Sequence, residues 1–110
     1  MQIAHLKALS ADEGLTAVSN IIARFLPDAR IFLFGSRARG DAEQTSDFDF
    51  AIDVGSKIPL DVIARIEGEI EELHTLKSVD IVDLNRVNPA FKTIILKTGV
   101  ILHDGRRSRT

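Results

Sequence analysis

Asp47 and Asp49 stand one residue apart in the apolar run Asp47-Phe48-Asp49-Phe50-Ala51-Ile52. With a period of two, both carboxylates share one face of a strand, while Phe48, Phe50 and Ile52 share the other. The phenylalanine face belongs to a core. Carboxylates at i and i+2 repel each other and disfavour the strand that carries them. A divalent cation, which prefers hard oxygen ligands, removes that repulsion. The competing reading is an edge strand with a solvated acidic face. Ahead of the pair lies Gly35-Ser36-Arg37-Ala38-Arg39-Gly40. Gly35 permits a sharp turn and a close backbone approach. Ser36 adds a hydroxyl donor, and the residues after it can open a short helix whose N–H groups face an anion. Arg37 and Arg39 carry guanidinium forks suited to phosphate oxygens. By itself this stretch is also ordinary loop punctuation with solvated arginines. Together, the two segments bring phosphate-binding and metal-binding groups to one place.

A third acid follows in Ser78-Val79-Asp80-Ile81-Val82-Asp83-Leu84, which reads as another strand. Asp80 and Asp83 are three apart and face opposite sides of a sheet. Asp80, mid-strand among β-branched residues, is costly to bury without a metal, a cation or hydrogen bonds. It is the expected third carboxylate. Asp83, beside Asn85 and Arg86, reads as a terminal, loop-facing acid or a partner for Arg86.

These residues need a frame. Arg30-Ile31-Phe32-Leu33-Phe34 is apolar and rich in strand formers, so Gly35 follows a buried strand. Upstream, Ser10 and Glu13 have capping-box spacing. Leu15, Val18, Ile21, Ile22 and Phe25 recur at helical spacing, and Pro27 ends the pattern. A second helix is expected from about Pro59 to about His74, with Leu60, Ile63, Ile66, Ile70 and Leu73 as its buried stripe. Glu67, Glu69, Glu71 and Glu72 form its other face, read as solvated. Asn88 is placed to cap a third helix with Pro89 in its first turn. Phe91, Ile94 and Ile95 are expected to point inward, and Gly99 to stop the helix. Val100-Ile101-Leu102 completes the pattern as a short strand. The expected fold is α/β (α+β): a mixed sheet of about four strands flanked by helices.

At 110 residues the chain can bury one core. Residues 1–103 read as a single domain, and the polar stretch 104–110 as a disordered tail. A net charge of −2 gives no global attraction to nucleic acid or to anionic membrane. Cysteine is absent, which excludes disulfides and thiolate metal sites. His5, His74 and His103 show no ligand spacing, so no zinc is expected. No apolar run approaches membrane-spanning length, and the chain reads as cytoplasmic.

Gly35-Ser36, ten intervening residues, then Asp47-x-Asp49 and a later strand bearing Asp80 resemble the nucleotidyltransferase superfamily that includes DNA polymerase β. The short chain and the Gly-Ser-Arg-Ala-Arg-Gly form resemble its smallest members, the minimal nucleotidyltransferase (MNT) proteins. The likeness spans roughly residues 12–103. It implies the nucleotidyltransferase fold, with Gly35, Ser36 and Arg39 on the triphosphate. Arg37 either joins them or faces solvent. Asp47, Asp49 and Asp80 would serve as the catalytic, metal-binding triad for two Mg2+ ions, for which Mn2+ can substitute.

MNT proteins commonly pair with small helical HEPN proteins as toxin–antitoxin systems. The resemblance therefore implies an antitoxin that transfers AMP from ATP to a tyrosine of a HEPN-type partner. The chain contains no tyrosine, so tyrosyl self-modification is excluded. Two other readings stay open: a binding module that neutralises its partner by occlusion, and a small-molecule nucleotidyltransferase subunit of the aminoglycoside-modifying type. The full carboxylate set favours transfer over occlusion. The lack of room for a substrate domain disfavours the small-molecule enzyme. The acceptor half of the site must come from a second copy or another protein, so a homo- or hetero-oligomer is expected. No sequence-specific nucleic-acid binding is expected.

Overall fold

The computed structural model describes residues 11–35, 48–73 and 78–106. Their order is α1 (Ala11–Phe25), β1 (Arg30–Phe34), β2 (Phe48–Asp53), α2 (Leu60–Glu71), β3 (Val79–Asp83), α3 (Pro89–Thr98) and β4 (Val100–Asp104). Ser10 of the expected capping box lies outside the described residues. The strands form one mixed sheet in the order β3-β2-β1-β4. β1 pairs antiparallel with both β2 and β4, and β2 pairs parallel with β3. A parallel pair requires a crossover, which here contains α2.

Alternation along the strands divides the molecule into two apolar layers. Ile31, Phe48, Phe50 and Ile52 point to one face and pack with Val18, Ile21 and Ile22 of α1 and Ile66 and Ile70 of α2. Phe32 and Ala51 point to the other face and pack with Leu84 and with Ile95 of α3. The helical stripes thus go where their spacing sends them, with three exceptions. Leu60, the first residue of α2, is 66% exposed. Phe91 and Ile94 are exposed as well, since α3 buries only Ile95. Asn88 caps α3 as expected, its Oδ1 accepting the Phe91 N–H at 2.8 Å, and Pro89 occupies the first turn. Gly99 ends α3 with an extended backbone rather than a left-handed one. Close packing explains the glycine: a Cβ there would stand 2.8 Å from the Ile95 carbonyl oxygen.

β4 runs past its expected end, through Asp104. Gly105 is buried and donates its N–H to the Ala29 carbonyl at 2.9 Å. The described residues continue through Arg106; residues 107–110 lie outside them.

At this end of the sheet sits a polar knot that sequence reading did not weigh. Asp53 extends the alternation of β2 and is buried. It faces Arg30 in register and accepts a hydrogen bond from it. It also accepts the Gly55 N–H at 2.9 Å and Asn85 Nδ2 at 3.1 Å, while an Arg106 guanidinium nitrogen lies 3.7 Å away. Burial alone would raise its pKa. The hydrogen bonds from Arg30, the Gly55 amide and Asn85, with the Arg30 charge, outweigh burial and lower it from 3.8 to about 2. A lowered folded-state pKa adds stability that is complete above the unfolded value and is lost as pH falls through the folded one. Denaturant unfolding should therefore show wild type losing about 2 kcal/mol between roughly pH 4 and pH 2 relative to Asp53→Asn.

Candidate active site

β1 ends in Gly35, at φ +79°, a left-handed conformation that favours glycine. The turn aims at β2. A Cβ added to Gly35 would stand 2.6 Å from Asp49 Oδ2, so the backbone and this carboxylate meet at van der Waals range. Asp49 lies opposite Phe34 on β1 and opposite Asp80 on β3. Residues in register on neighbouring strands share a face, about 4.8 Å apart along the hydrogen-bonding direction. Asp49 and Asp80 thus form an adjacent carboxylate pair, on the face away from Phe48 and Phe50.

Two expectations change with this geometry. β2 is an inner strand flanked on both sides, which overturns the competing edge-strand reading of Asp-x-Asp. Two residues beyond Asp49 the same face is apolar and buried at Ala51, so Asp49 marks where that face opens. Asp80, in contrast, is exposed. β3 is an edge strand, and none of the described residues buries this carboxylate. Its claim to the site rests on register with Asp49. Ser36, Arg37, Arg39 and Asp47 lie outside the described residues.

Asp83 faces the opposite side, as its spacing from Asp80 requires. It is buried and accepts the Ile58 N–H at 2.7 Å and the Asn85 N–H at 2.9 Å. Arg86 Nε lies 3.3 Å away, and Arg86 Nη2 donates to the Ile58 carbonyl at 2.8 Å. Of the two readings, the Arg86 partner is the one realised, and Asp83 ties the loop before α2 to the end of β3. The alternation of β2 extends to Asp53, and an arginine waits in register on β1; that was the signal available for the other structural acid.

Asp49 and Asp80 offer hard oxygen donors from adjacent strands beside a backbone turn without a side chain. That donor set fits a divalent cation. Among the described residues no group of three or more potential metal-ligating side chains forms. The Asp49–Asp80 pair is the part of the expected triad that the described residues contain.

The sequence pattern of one family, described as polymerase beta, nucleotidyltransferase, matches residues 19–108. The chain belongs to this nucleotidyltransferase family. The match takes in the turn, both carboxylate strands and β4. A relative in Haemophilus influenzae (strain Rd), named as a probable protein adenylyltransferase, MntA, is 33% identical over 98 residues. That alignment covers 87% of this chain and 84% of the relative. A structure described as a minimal nucleotidyltransferase superposes with a TM-score of 0.64 at 22% identity, covering 84% of this chain and 95% of the other. A toxin–antitoxin crystal structure with AMP-PNP superposes with a TM-score of 0.56 at 21% identity, covering 81% and 75%. The fold of the family is the mixed four-stranded sheet described above, and membership makes the chain a nucleotidyltransferase.

The Gly35 contact carries a prediction. Gly35→Ala must relax a left-handed backbone, at about 1–2 kcal/mol. It must also push the Asp49 carboxylate aside. Displacing a catalytic group by about 1 Å can cost on the order of a hundredfold in rate. We expect Gly35→Ala to lower kcat by about that factor and to lower the unfolding midpoint modestly, checked by steady-state transfer and urea titration.

Proposed function

We propose that the chain transfers AMP from ATP to a hydroxyl of a protein partner, a tyrosine of a HEPN-type toxin, and so acts as an antitoxin. One observation carries the reading: Gly35 abuts Asp49, and Asp49 lies in register with Asp80. A triphosphate-binding turn and two carboxylates therefore converge at one end of the sheet. The name of the Haemophilus relative supports protein adenylylation. The toxin–antitoxin neighbour with AMP-PNP supports an adenine nucleotide and a toxin partner.

In this reading Gly35 and Ser36 hold the triphosphate, Arg39 contacts its β- or γ-phosphate, and Arg37 either joins them or faces solvent. Asp47, Asp49 and Asp80 would bind two divalent cations, Mg2+ in the cell. When bound, the cations would neutralise charge on the phosphates and on the attacking and leaving oxygens. The partner's hydroxyl attacks the α-phosphorus, the bridging bond to the β-phosphate breaks, and pyrophosphate leaves with the bonding electrons. Asp80, exposed on the edge strand, takes part in removing the hydroxyl proton. Catalysis then rests mainly on positioning and electrostatics.

The test is direct. The chain is mixed with the product of the gene that neighbours its own, ATP and Mg2+, and the intact mass of each protein is measured. A gain of AMP units on the partner, mapped to tyrosine, supports the reading. Stable binding without any gain in mass would replace transfer with occlusion.

A further inference from the structure

We infer that Phe91 and Phe34 form an aromatic platform beside the carboxylates that receives a planar ring of one of the reactants. The inference rests on the nucleotidyl-transfer reading of the Asp49 site. Across β3, β2 and β1, one row of the sheet reads Asp80, Asp49, Phe34, all in register and on one face. Directly opposite residues of an antiparallel pair place their Cβ atoms about 4.5–5.5 Å apart, so the Phe34 ring borders the Asp49 carboxylate. Phe91 meets that ring edge to face, with centroids 5.8 Å apart and planes at 83°. Phe34 packs against the small core beneath α3, while Phe91 remains 36% exposed.

The position of Phe91 is held from below. Its own N–H is the one capped by Asn88 Oδ1, and Pro89 stiffens the turn before it. The cap fixes the backbone of Phe91, and its ring, about one-third exposed and one ring away from the carboxylates, can be reached by a planar ligand. Stacking of a base on an aromatic side chain is worth about 1–3 kcal/mol and tolerates any planar ring. Two reactants could supply such a ring: the nucleobase of the triphosphate or an aromatic acceptor. The shared chemistry is an unsaturated planar ring, and the test separates its sources.

Three probes are used with the full chain and Mg2+: ATP, inorganic triphosphate as a competitor without a base, and N-acetyltyrosinamide as an acceptor. Phe91→Leu keeps apolar cover over Phe34 but removes the π-face; Phe91→Trp restores one. If the base stacks here, Phe91→Leu weakens ATP about tenfold and leaves inorganic triphosphate unchanged, and Phe91→Trp recovers the loss. If the acceptor ring stacks here, the KM for N-acetyltyrosinamide rises by a similar factor while both triphosphates are unaffected. A Phe91→Leu variant that matches wild type with all three probes overturns the platform. So does one that weakens all three equally, which is the signature of a merely structural residue. Wild type that fails to bind either triphosphate overturns the reading of the site itself, and the platform with it.

Discussion

Asp49→Asn is expected to abolish nucleotidyl transfer, lowering kcat by at least about a thousandfold, while the protein remains folded. Removing one preorganised electrostatic group from an active site typically costs about 10²–10³ in rate. Here the loss falls at the upper end or beyond, because Asp49 occupies the middle of the arrangement. It touches the Gly35 turn on one side and neighbours Asp80 on the other. The amide keeps the size of the side chain, so the contact with Gly35 survives. It also relieves carboxylate–carboxylate repulsion across β2 and β3, so thermal stability should be unchanged or slightly raised. Activity is read by AMP transfer at saturating ATP and Mg2+, and folding by circular dichroism and thermal melting. Transfer within tenfold of wild type would remove Asp49 from the chemistry. Asp53→Asn is the informative contrast. It lies on the same face of the same strand, about 13 Å away at the strand rise, and should leave transfer intact.

The second large effect is on stability. Asp83→Ala is expected to cost about 2–4 kcal/mol, since each N–H left without an acceptor costs about 1–3 kcal/mol and the half-exposed Arg86 adds little. The carboxylate satisfies the amides of Ile58 and Asn85 and pairs with Arg86. Its removal leaves the Ile58 and Asn85 N–H groups without their acceptor at the point where the loop before α2 meets β3, while Arg86 keeps the Ile58 carbonyl. Asp83→Asn retains an acceptor and should lose roughly half as much. At about 4–8 °C per kcal/mol for a domain near this size, Tm should fall by more than about 8 °C for the alanine variant. Asp80→Ala, one strand face away and exposed, should leave Tm nearly unchanged. If Asp83→Ala melted like wild type, the buried network would be contributing little.

These two aspartates also show how far the linear chain could be read. Spacing alone put Asp80 and Asp83 on opposite faces, because side chains alternate along a regular strand. It could not say which face was wet. Burial depends on what packs against the strand, and the loop around Ile58 covers Asp83 while the edge leaves Asp80 open. Asp80 is therefore exposed despite its β-branched neighbours, and it still stands beside Asp49. Helix α3 shows the same division. Its cap and its first-turn proline were legible from local chemistry, but the exposure of Phe91 and Ile94 was not, since it follows from how α3 lies over the sheet.

By itself the sequence determined the local geometry of the site: a glycine after an apolar strand, Asp49 on the face of the next strand opposite Phe48 and Phe50, and helices with stripes of core residues. All of these follow from backbone periodicity and the special freedom of glycine, which act within a few residues. Only the tertiary structure decided that β2 lies inside the sheet, that β3 pairs with it in parallel so that Asp80 falls beside Asp49, and that Gly35 closes on the Asp49 carboxylate. Those features depend on strand order and register. Both are set by the whole core, Phe48, Phe50 and Ile52 against α1 and α2, in contacts between residues far apart in the chain.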